Sequence, residues 1–130
     1  MTMTPDLVSN AFPRILVVDD EPGACNLFKR VLEKMQYEVA VAGGVEEAIG
    51  KIGEFKPDLI ISDVLMPQFS GYELIKMIQS RKPAIPMIMV SAVATKELKE
   101  ECLENGAYAF MQKPIEFELL HKLIKKALNL

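Results

Sequence analysis

Apolar residues recur along this chain in two alternating spacings. Short unbroken runs such as Ile15-Leu16-Val17-Val18, Leu59-Ile60-Ile61 and Met87-Ile88-Met89-Val90 predict buried strands. Between them the apolar residues return every three or four positions, the period of a helix with one face inward. The spacing predicts strands over 14–18, 37–41, 58–62, 85–90 and 107–111. It predicts a helix opening at Glu21-Pro22-Gly23, with Leu27, Phe28, Val31, Leu32 and Met35 on one face. A second helix covers 45–55, with Val45, Ala48, Ile49 and Ile52 inward. A third follows Ser70 and carries Leu74, Ile75 and Ile78, and Ser70 with Glu73 has capping-box spacing. A fourth, over 95–104, is mostly charged and has only Leu98, Cys102 and Leu103 to bury before Asn105-Gly106 stops it. The last, over 116–128, places Leu119, Leu120, Leu123, Ile124, Ala127 and Leu128 on its apolar side.

Five strand–helix units in succession predict an α/β domain, a parallel sheet with helices on both faces. Strands covered on both faces read as continuous apolar runs, as these do. Right-handed crossovers leave few topologies, and a doubly wound five-stranded sheet in the order 2-1-3-4-5 is the natural one. That order sets strands 1 and 3 side by side, and ligands bind beyond their C-terminal ends.

Composition narrows the function. The 130 residues suffice for one domain, half of them hydrophobic and a quarter charged. A net charge of −3 lacks the basic footprint of an independent nucleic-acid binder. No apolar stretch reaches the ~18 residues of a membrane span, and the start lacks a signal peptide's apolar core. A cytoplasmic protein is expected, with residues 1–13 a flexible leader and 14–130 the folded domain. Cys25 and Cys102 are isolated and read as reduced core or boundary residues, and His121 as a boundary helical residue.

The candidate chemistry sits at the strand ends. Asp19-Asp20-Glu21 closes the first run, Asp63 the third, Ser91 the fourth, and Lys113-Pro114 the fifth. Two carboxylates ~4 Å apart repel by about 4 kcal/mol at an effective dielectric near ~20. Unrelieved, the repulsion keeps one of them protonated. A hard divalent cation with oxygen ligands removes the conflict, and Mg²⁺ suits a site with few protein ligands and several waters. Glu21 serves the helix N-terminus better than a metal. Met66 and the other methionines read as packing.

In this order, Asp19-Asp20, Asp63, Met66-Pro67, Gly71, Ser91 and Lys113-Pro114 resemble the receiver domain of two-component response regulators, across residues 14 to 128. The resemblance implies a flavodoxin-like (βα)5 fold and a Mg²⁺ cofactor. It implies that Asp20 and Asp63 bind Mg²⁺ directly, that Asp19 acts largely through water, and that the Leu65 carbonyl adds a ligand. Asp63 would be the phosphoacceptor, a carboxylate nucleophile, with Lys113 and Ser91 on the phosphoryl oxygens. The donor would be a phosphohistidine of a histidine kinase or histidine phosphotransfer protein. Ser91 and Phe110 would form the switch, with Tyr108 on the same side of its strand. Phe110 has no hydroxyl, so its inward state would rest on packing alone. The face made by helix 4, strand 5 and helix 5 would carry the output to a downstream effector or to an output domain outside this chain, and a phosphorylation-linked homodimer is a further expectation. Leu65 and Val93 occupy the two positions that modulate phosphoryl lifetime in the family. Pro114 is expected to follow a cis bond, which would aim Lys113 inward. Gly71 is read as relief for a tight turn.

Three other readings compete. A haloacid-dehalogenase-like phosphatase has a second Asp two residues after its nucleophile, where this chain has Leu65. A flavin carrier needs a donor-rich phosphate loop after strand 1, and Asp19-Asp20-Glu21 would repel that phosphate. An unphosphorylated docking scaffold with the same fold would have no need of the complete acid, hydroxyl and lysine set. One helix follows Lys113, so the expectation is a stand-alone receiver or a piece of a longer regulator.

Overall fold

A computed structural model describes residues 12–66, 71–81 and 83–130. The Ser70 cap, Pro67 and nearly all of the expected leader lie outside the described residues. In chain order the elements are β1 Arg14–Val18, α1 Pro22–Lys34, β2 Glu38–Ala42, α2 Val45–Phe55, β3 Leu59–Asp63, α3 Gly71–Gln79, β4 Met87–Ser91, α4 Lys96–Glu104, β5 Ala109–Gln112 and α5 Phe117–Leu128. The five strands are all parallel and lie in the order β2-β1-β3-β4-β5. This is the doubly wound, flavodoxin-like sheet expected from the sequence.

Alternate residues of each strand feed two cores. Ile15, Val17, Leu59, Ile61, Ile88 and Val90 pack with Phe28 and Leu32 of α1 and Leu120 and Ile124 of α5. Leu16, Val18, Ile60, Met87 and Met89 face Val45, Ala48 and Ile52 of α2, Leu74, Ile75 and Ile78 of α3, and Cys102 of α4. With both faces covered, no strand needs a polar side, which is why the runs lack alternation.

Four of the strands differ from expectation at their ends. Tyr37 precedes β2 because its N–H closes the α1 terminus on the Leu32 carbonyl at 3.1 Å. Asp58 stays outside β3, its carboxylate accepting from the Arg14 N–H at 2.8 Å. β3 and β4 instead run on through Asp63 and Ser91. β5 starts late, because the Ala107 N–H is spent on the Cys102 carbonyl at the end of α4.

Four expected core residues lie outside. Leu27, Ile49, Leu103 and Leu119 are exposed by 42%, 47%, 41% and 46%. Each neighbours the true inward stripe, and one residue turns a helix by roughly 100°. In α1 that stripe is Cys25, Phe28 and Leu32, and in α2 it is Val45, Ala48 and Ile52. In α5 it is Leu120 and Ile124, and in α4 it is Cys102 alone.

Candidate functional site

The sheet register sets the strand ends level. Val18 of β1 pairs with Ser62 of β3, and Asp63 with Val90 of β4. Asp19 and Asp63, the next residues up, therefore emerge side by side at one rim. Carboxylate oxygens of Asp19, Asp20 and Asp63 all lie within 4.8 Å of one another. Asp19 and Asp63 are buried and Asp20 is exposed.

Each buried acid is held by defined donors. Asp19 takes the Glu21 N–H on Oδ1 at 3.0 Å and the Lys113 ammonium on Oδ2 at 2.8 Å. Asp63 takes the Leu65 N–H on Oδ1 at 3.2 Å and the same ammonium on Oδ2 at 3.1 Å. One cation thus bridges two acids that would otherwise repel. Burial, reinforced by the Asp19 charge, raises the Asp63 pKa above the usual carboxylate value despite Lys113. Burial pulls Lys113 the other way, but its bonds to Asp19 and Asp63 outweigh this and the ammonium is held beyond its ordinary range.

The surrounding backbone fixes these groups. The Lys113 N–H donates to the Ser91 carbonyl at 2.9 Å, and the Lys113–Pro114 bond is cis. The Ser91 hydroxyl, buried at the end of β4, accepts from the Val93 N–H at 3.1 Å. Leu65 follows Asp63 with its side chain exposed, and Met66 packs on the core beneath. Gly71 answers a close approach instead of an unusual turn. A Cβ there would stand 2.7 Å from both the Asp63 carbonyl oxygen and the Met89 methyl. Phe110 is half-buried, and with Tyr108, Leu103, Leu119 and Leu123 it lines a cleft of ≈ 480 Å³ between α4 and α5.

Cys25, expected as a reduced core or boundary residue, is buried under the site, its thiol donating to the Asp19 carbonyl at 3.3 Å. One feature escaped the sequence reading. Lys113 pairs with both acids, which no sequence spacing announces.

The donor set is hard oxygen, three carboxylates on adjacent strand ends, and it fits a small divalent cation better than a soft metal. A reaction at Asp63 would have a lysine and a serine hydroxyl beside it.

Known proteins resemble the chain at this level. A profile of the response regulator receiver domain matches residues 15–125. The transcriptional regulatory protein ZraR of Salmonella typhimurium is 34% identical over 114 residues, which are 88% of this chain and 26% of ZraR. PhoP of Bacillus subtilis, an alkaline phosphatase synthesis transcriptional regulatory protein, is 36% identical over 89% of this chain and 48% of its own length. The chain thus spans about a quarter to a half of these relatives. Among solved structures, the Vibrio cholerae chemotaxis protein CheY4 superposes with a TM-score of 0.82 at 32% identity, covering 90% of this chain and 99% of CheY4. A receiver domain from Clostridium thermocellum gives 0.85 at 27% identity, over 91% and 95% of the two chains. Sheet order, rim chemistry and sequence agree, and the chain belongs to the response regulator receiver domain family of two-component signalling.

Proposed function

We propose that Asp63 accepts a phosphoryl group from a phosphohistidine on a partner histidine kinase or phosphotransfer protein, assisted by Mg²⁺. The observation that carries this is the convergence of Asp19, Asp20 and Asp63, with the Lys113 ammonium on two of them. An Asp63 carboxylate oxygen attacks phosphorus while the imidazole nitrogen leaves, so one P–O bond forms as one N–P bond breaks. Asp19, Asp20, Asp63 and the Leu65 carbonyl would hold Mg²⁺, which when bound neutralises charge on the phosphoryl oxygens. Lys113 already stands on the acceptor and turns one of its three donors to the incoming group. The Ser91 hydroxyl gives up its bond from Val93 to donate to another phosphoryl oxygen. Transfer of this kind depends on positioning and charge stabilisation more than on acid–base chemistry.

The signal leaves through α4, β5 and α5. Movement of Ser91 toward the phosphoryl group opens space for Phe110, which has no hydroxyl and is held inward by packing alone. Its departure from the cleft reshapes the surface of Leu103, Tyr108 and Leu119, offered to an effector, an output domain or a second copy of the chain. Residues 14–130 act as the receiver in the cytoplasm, with 1–13 as a leader. In this reading the chain is a signalling domain that catalyses only the gain and loss of its own phosphoryl group at Asp63.

Incubation with acetyl phosphate and Mg²⁺, followed by intact mass, tests the acceptor. One phosphoryl group is expected, lost with chelator and absent in Asp63→Asn. A wild-type protein that gains no mass under these conditions refutes it. Beryllofluoride should shift amide resonances of α4, β5 and α5, and an unmoved α4–β5–α5 surface would remove it as the output face.

A further inference from the structure

Among the described residues one buried side-chain oxygen has no hydrogen-bond partner, the hydroxyl of Tyr72. Tyr72 opens α3 directly after Gly71, whose N–H donates to the Val64 carbonyl at 2.6 Å. That end of α3 is therefore tied to the acceptor strand. The ring packs on the core layer that includes Cys102. Burial, with Cys102 and Glu101 of α4 alongside but not in hydrogen-bond geometry, pushes its pKa up to about 12.

The other side of this contact is the least anchored helix. In α4 Cys102 alone is fully buried, with Leu98 partly buried on the same core, and the N-terminus is held by the Thr95 hydroxyl accepting from the Leu98 N–H at 3.1 Å. A buried donor left unpaired is unfavourable, and the unfavourable term vanishes once the group reaches water or an acceptor. Here the group that gains by being uncovered lies beside Cys102, the one fully buried residue of α4.

We propose that the Tyr72 hydroxyl is a loosening device for α4. With α4 docked, the helix covers the oxygen beside Cys102 and Glu101 without completing a hydrogen bond to either. With α4 lifted, the hydroxyl bonds water, so the polar group favours departure. The resting protein then already contains a population with α4 undocked. This goes beyond the output face proposed above, and it requires neither Mg²⁺ nor phosphorylation.

Backbone amide hydrogen exchange on the unphosphorylated full chain tests it. Tyr72→Phe keeps the ring and removes the unpaired group, so α4 amides should exchange more slowly by about fivefold or more, the equivalent of ~1 kcal/mol. Exchange in α4 that is unchanged or faster in Tyr72→Phe overturns the proposal. A second comparison uses Cys102→Ser, which offers the phenol an oxygen acceptor. It should slow α4 exchange when Tyr72 is present and speed it in the Tyr72→Phe background. The same effect in both backgrounds would show that the hydroxyl does not act on α4.

Discussion

Leu65 and Val93 show what a single residue decides. Their side chains flank the acceptor and are exposed by 49% and 47%, yet neither can hold or activate a water. A phosphoryl group on Asp63 should therefore be lost slowly. Leu65→Asn places an amide beside the phosphorus and is expected to speed hydrolysis by on the order of tenfold, short of the ~10² of a dedicated acid or base. The decay of the phosphorylated mass after donor removal measures this, and an unaltered decay would mean that water is positioned by something else. The site residues were readable because a charged or hydroxyl side chain ends an otherwise apolar run, at Asp19, Asp63 and Ser91. Partners were not readable. That Lys113 serves Asp19 and Asp63 together depends on a 94-residue and a 50-residue separation closed by the fold. The unpaired Tyr72 hydroxyl likewise arises from contact between two helices, which neither helix encodes alone.

Among the elements, α2 carries an avoidable weakness. Gly50 and Gly53 lie in its interior, exposed, with nothing within 4 Å of where a Cβ would stand. Neither has a backbone conformation that requires glycine. Gly50→Ala and Gly53→Ala should each stabilise the protein by about 0.5–1 kcal/mol in urea unfolding, through a less flexible unfolded chain and better helix propensity. A loss of stability in either would reveal a contact to α2 that the folded monomer does not contain. Element type was legible throughout, since short unbroken apolar runs and longer stripes of period 3.6 are distinct. The exact stripe was not. Helical spacing placed Leu27 and Leu119 inward together with their neighbours, whereas they are exposed and Cys25, Phe28 and Leu120 are the buried ones. Strand ends shifted by a residue or two because their last hydrogen bonds are settled by adjoining helices and loops.

For the whole molecule, two ends of one sheet do different work. At the N-terminal edge of the sheet, Arg14 stacks on Phe55, donates to its carbonyl at 3.0 Å and pairs with Glu38, contacts that serve the fold. At the C-terminal rim the acids are crowded at a cost to stability. The folded state holds the Asp63 proton more tightly than the unfolded chain does. Stability therefore falls as pH rises from the ordinary carboxylate pKa through the raised folded one, and the full cost remains at neutral pH. Asp63→Asn should raise the melting temperature at neutral pH with chelator present, and the gain should vanish below about pH 4. A lower melting temperature for that variant at neutral pH would mean that the Lys113 bond outweighs burial. Stabilisation of the wild type by added Mg²⁺, growing with concentration as binding to the folded state requires, should be largely lost in Asp63→Asn. The most direct measurement locates the phosphoryl group itself. Reduction of the acetyl phosphate-treated protein with borohydride converts an aspartyl phosphate to homoserine, and peptide mass spectrometry reads its position. Homoserine at residue 63 and nowhere else is the predicted result; homoserine at residue 19 or 20, or at none of the three acids, would contradict it.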